Sequence, residues 1–165
     1  MNLTELYLKE LNAESSATRR ILGAVPSDKF DWQPHPKSMD IRTLGAHIAE
    51  LPTWITMAYT TDELDFATTP YVPKPINSTP ELLDFFEKSL VDGKSMLLPE
   101  NEKILAEPWT LRNGETIYAT FSKGDLIRHA MSQIIHHRAQ MGVYLRLLDI
   151  PLPATYGSSA DDVHF

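Results

Sequence analysis

The sequence has no cysteine. That excludes disulfides, a thiolate nucleophile, a thiolate zinc site and a cluster-type iron site. Positive charge is also scarce: 15 lysines and arginines face 22 aspartates and glutamates, a formal net charge of -7. A general binder of phosphate backbones needs a basic face, so the expectation is no nucleic-acid partner. No apolar run approaches the roughly 18 residues of a membrane span. The N-terminal MNLTELYLKELNAESS carries charges throughout and lacks a signal peptide's apolar centre. These features predict a cytoplasmic protein that does not enter membranes. The 7 glycines form no phosphate-cradling loop.

The chain has 165 residues, with 42% hydrophobic and 22% charged. At about 150 residues per domain this predicts a single domain over 1–165, with an ordinary globular core. Apolar residues at helical spacing predict a first helix over 3–24, with Leu6, Ala13, Ala17, Ile21 and Ala24 as its stripe. Asn2 or Thr4 caps it and Pro26 ends it. A second helix is predicted over 41–60, capped by Ser38 or Asp40 and kinked at Pro52. Ser78-Thr79-Pro80-Glu81 reads as the opening of a third, with Leu83, Phe86, Leu90 and Leu97 as its stripe and Gly93 weakening its end. Trp109, Leu111, Ile117 and Ala119 alternate around Asn113-Gly114, which predicts a short hairpin with a type I′ turn. A last helix over 125–148 carries Ile127, Ala130, Ile134, Met141, Leu145 and Leu148 on one stripe. The class is therefore all-α, a helical bundle with a short extended or hairpin insert before the last helix.

Two histidines fall on apolar stripes. His137 lies three residues after Ile134 and four before Met141; His47 lies three after Leu44 and four before Leu51. Bundles build metal sites from inward side chains on neighbouring helices. A buried histidine bonded to a carbonyl or carboxylate accounts for such positions equally well. One turn before His137 stands Gln133, whose carbonyl oxygen is a weaker ligand than imidazole. His129, Ser132, Gln133, His136 and Gln140 form a polar flank that lines either a pocket or a solvated face. His35 and His164 read as surface residues. Asp62, Glu63 and Asp65 read as a solvated loop, and Trp32, Trp54 and Trp109 as core anchors. Ser158, Ser159, Asp161 and Asp162 have no context supporting a catalytic triad.

Two segments carry a family resemblance across nearly the whole chain. AVPSDKFDWQPHPKSMDIRTLGAHIAEL resembles the first loop and second helix of the DinB-like (YfiT-type) superfamily. HAMSQIIHHRAQMGVYLRLLDIPLPATYGSSADD resembles its final helix and tail, with the histidine-arginine-any-glutamine signature at His137, Arg138 and Gln140. The resemblance implies an up-down-down-up four-helix bundle, a homodimer, and a nickel or zinc ion held by three histidines. His47 matches the helix-two histidine and His137 the last one. The middle histidine's place is taken by Gln133, so the implied ligand set is His47, Gln133 and His137. The implied function is a divalent-metal-dependent enzyme, either a transferase using a low-molecular-weight thiol or a related hydrolase. The alternative is a catalytically silent binding or stress-associated module with a degenerate metal site. Arg138 is expected to pair with a carboxylate across helices, Gln140 to orient a ligand, and Glu50 to stand as an outer carboxylate one turn from His47.

Overall fold

A computed structural model describes residues 2–164. The described residues are mostly helical. Helix α1 covers Leu3–Gly23, α2 Ile41–Glu50, α3 Thr53–Thr60, α4 Thr79–Met96 and α5 Lys123–Leu147, with 3-10 turns at Ser27–Lys29 and Pro99–Ile104. Each long helix opens on a side chain that accepts an otherwise unpaired backbone N–H. Asn2 caps α1 in a capping box with Glu5, Asp40 caps α2, Ser78 caps α4 and Ser122 caps α5. None of the described helices is long and apolar enough to cross a membrane.

The predicted second helix is two. Proline at 52 cannot donate a backbone hydrogen bond, and the helix breaks there. Leu51 and Pro52 nonetheless keep right-handed helical dihedrals, so α3 continues roughly where α2 stops. Trp54 N–H reaches the Leu51 carbonyl, and the Thr53 hydroxyl donates to the Glu50 carbonyl at 2.8 Å. Every α2 and α3 contact partner among the long helices is α4 or α5.

The first helix is where expected, but its buried face is turned. Leu6 and Ala13 are exposed, while Glu14, Ser15 and Thr18 join Leu11, Ala17, Ile21 and Leu22 inside. Periodicity looks for aliphatics and passes over buried polar groups. These are buried because they meet Arg138 of α5. Its guanidinium is 2.7 Å from the Glu14 carboxylate and donates to the Glu14 carbonyl and the Thr18 hydroxyl. Tyr156 from the tail completes the group. Its hydroxyl donates to Glu14 at 2.7 Å and accepts from Arg138 at 2.6 Å. The carboxylate partner expected for Arg138 is thus Glu14.

A three-stranded sheet, ordered β1-β2-β3, is larger than the expected insert. The hairpin strands are β2 Pro108–Asn113 and β3 Thr116–Ser122. Asn113 pairs with Thr116, and only Gly114 has positive φ, 58°. A type I′ turn needs two such residues, so that expectation fails; Gly114 holds the first central position, as in the II′ class. The third strand, β1 Glu63–Asp65, pairs parallel with β2. The solvated-loop reading of this segment is corrected by Asp65, which is buried. It accepts from Gly114 N and Ala67 N and pairs with Arg112. Three residues are too short for alternation to reveal, and acidic residues disguise the strand. Trp109 is wholly buried, and its indole N–H is satisfied by Thr61 at 2.9 Å.

The backbone bonds from Gly114 and Ala67 hold the Asp65 carboxyl below its ordinary value, and the Thr4 and Leu3 amides do the same for Glu102. A depressed folded-state pKa contributes stability above the unfolded-state value and loses it as pH falls through the folded one. Stability is therefore expected to decline as pH drops below about 4. Asp65→Asn should flatten that decline, as measured by urea unfolding across pH; an unchanged slope would contradict the assigned role.

Candidate metal centre

Helices α2 and α5 pack side by side, and this contact brings His47 and His137 together. Their ring centroids lie 4.8 Å apart with the planes inclined at 71°. Both side chains are only partly buried. Each ring is fixed by a partner one turn further along its own helix. His47 Nδ1 is 2.7 Å from Glu50 Oε1, and His137 Nδ1 is 2.7 Å from Gln140 Oε1. An ionised carboxylate and an amide oxygen only accept, so both Nδ1 atoms carry the proton. The second nitrogen of each ring, Nε2, is left with its lone pair. Burial pushes the His137 pKa down, Gln140 partly offsets this, and His47 and His136 lower it further. His137 is thus neutral at pH 7, the state in which imidazole binds a metal.

Aromatic groups surround the pair. Trp54 and Tyr71 each stand edge-on to His47 with centroids 6.4 Å away. The Tyr71 hydroxyl engages Glu50, and burial together with that carboxylate raises its pKa. Trp54 therefore borders the candidate site as well as the core, which the core-anchor reading did not foresee. Tyr71 was also missed, because the proline-rich segment over 70–77 has no helical or strand period to place its side chains. His136 packs against His137 at 4.9 Å but is exposed.

Gln133 sits in the row between His129 and His137, one turn from each. Its amide nitrogen is 3.4 Å from His129 Nε2. Burial, then Arg128, lowers the His129 pKa, and its ring packs on Phe121 at 5.3 Å. Among the described residues, no three or more His, Cys, Asp or Glu side chains form a group able to hold a metal. Any three-ligand set here must use the Gln133 carbonyl. The polar flank lines no cleft of note. A cleft of about 510 Å³ lies instead between α5 and the tail, lined by Ile135, Arg138, Val143, Leu147, Leu152 and Tyr156 among others. His35 and His164 are exposed, as expected. Ser159, Asp161 and Asp162 shape the tail: Asp161 binds Arg146 and the Leu152 amide, and Asp162 binds the Ala154 amide.

Solved structures resemble this fold at low identity. A DinB-like protein from Bacillus cereus ATCC 10987 superposes with a TM-score of 0.68 at 17% identity, covering 92% of this chain and 97% of its own. A DinB-like protein from Bacillus subtilis gives 0.64 at 16% identity, covering 88% and 95% respectively. No curated protein matches the sequence. The model of the DinB family matches residues 1–163, and with that match the chain belongs to the DinB family.

Proposed function

We propose that this protein binds a divalent ion, nickel or zinc, through His47, His137 and the Gln133 carbonyl, and uses it to transfer a low-molecular-weight thiol to an electrophile. The observation that carries this reading is the pair of adjacent imidazoles with protonated Nδ1 and bare Nε2. Imidazole and amide oxygen suit borderline divalent ions. Such an ion, when bound, lowers the pKa of a coordinated thiol or water towards neutrality. With only neutral protein ligands its full charge is retained. Glu50 and Gln140 keep the two rings in one tautomer and orientation, a contribution that is often 10–100-fold in metal affinity, about 1.4–2.7 kcal/mol. Trp54 and Tyr71 supply an apolar rim for a small substrate. The wider reading is an up-down-down-up four-helix bundle acting as a homodimer in the cytoplasm, and a related hydrolase uses the same groups with water as nucleophile.

The test is elemental analysis of untagged protein purified without chelator, repeated on His47→Ala. Near-stoichiometric nickel or zinc in the first and none in the second is expected. No metal in either, even after reconstitution, would refute the reading.

One observation favours a second reading, a silent member of the fold that binds partners without metal: the amide nitrogen of Gln133 is already engaged by His129, and the third imidazole is missing. Gln133→His separates the two. On the metal reading it raises nickel affinity at least about tenfold, a gain of about 1.4 kcal/mol, by calorimetric titration. Unchanged, negligible affinity would mean that the surrounding geometry has drifted.

A further inference from the structure

We infer that His129 is a positioning residue that selects the oxygen of Gln133, rather than its nitrogen, as the face offered to the His47/His137 pair. This rests on the metal reading above. A carboxamide has two ends of nearly equal shape and opposite chemistry: the oxygen has lone pairs, and the NH2 group only donates. Only the oxygen can ligate a cation. Something must therefore decide which end faces which way.

The contact between Gln133 Nε2 and His129 Nε2, 3.4 Å, makes that decision. The amide nitrogen can only donate, so the ring nitrogen must accept and carries no proton. The His129 proton then resides on Nδ1. Phe121 packs on the imidazole at 5.3 Å and holds it in place. On α5, His129 lies one turn before Gln133 and His137 one turn after, all on one face. With the nitrogen tied to the earlier turn, the oxygen is turned away from it. The opposite tautomer, with a proton on His129 Nε2, would demand the amide oxygen for itself. It would leave an NH2 group beside the imidazoles, where it can bind no cation. A residue eight positions from His137, too far to share its ion, thus controls the third donor.

The inference has a test that needs no metal. Long-range proton–nitrogen correlation on the metal-free protein should find His129 with bare Nε2 and protonated Nδ1. A proton on Nε2 would overturn it. Nickel titration of the wild type, His129→Leu, Gln133→Ala and the double variant is the second test. His129→Leu should weaken nickel about tenfold or more, and His129→Gln, whose carbonyl accepts the same amide proton, should recover most of that loss. In the Gln133→Ala background, His129→Leu should change nothing further. Equal losses in both backgrounds would show that His129 acts through packing alone. Unchanged affinity in His129→Leu would overturn this inference and leave the metal reading standing, whereas no nickel uptake by the wild type would overturn both.

Discussion

Arg138→Met is expected to destabilise the fold by about 3–5 kcal/mol, the penalty for breaking a buried ion pair from one side. The Arg138 side chain is 3% exposed and Glu14 11%. Removing the guanidinium leaves the Glu14 carboxylate among Thr18, Leu11 and the α5 surface with only the Tyr156 hydroxyl as a strong partner. The tail loosens as well, because Tyr156 bonds to both members of the pair. The double variant Glu14→Leu with Arg138→Met removes both charges and should recover most of the loss, since matched apolar replacements of buried pairs are often neutral. Urea unfolding of the two singles and the double measures this. Losses that simply add would show that the two residues act independently and that the pairing is energetically unimportant.

This network also marks where the sequence was legible and where it was not. The five helices followed from capping residues and apolar spacing, because Asn2, Asp40 and Ser78 announce their helices locally. His47 and His137 were legible for the same reason, as polar residues at aliphatic positions. The turned face of α1 was not, because Glu14 and Thr18 are buried only by virtue of Arg138, 120 or more residues away. A long-range polar contact leaves no mark in local periodicity. The Gln140 role was readable from one helical turn, and the structure places its oxygen on His137 Nδ1. Strand β1 was not readable, because its pairing partner β2 lies more than forty residues on. Tyr71 reached the candidate site from an aperiodic segment, and Trp54 from a stripe where an aromatic reads as core.

Gly93→Ala should destabilise by about 2 kcal/mol, although alanine is the better helix former by about 1 kcal/mol. Gly93 lies in α4 against the break between α2 and α3. A β-carbon there would sit 2.3 Å from the Pro52 carbonyl oxygen and 3.1 Å from its carbon. Both are backbone atoms, so no rotamer change relieves the clash, and α4 must move away from α2 and α3. The close approach exists because Pro52 breaks the helix where α4 crosses it. Glycine at 93 is therefore a packing requirement, not the weakness at the helix end that propensity suggests. The displacement should also reach the candidate site, since Pro52 follows Glu50 by two residues and Glu50 orients His47. Nickel affinity is expected to fall with stability. Gly142→Ala in α5 provides the control, because its β-carbon meets nothing within 4 Å. There, helix propensity acts alone and should stabilise by about 0.5–1 kcal/mol. Opposite signs for the two substitutions in thermal and urea unfolding are the expected result; a stabilising Gly93→Ala would mean that α4 does not pack this closely on the break.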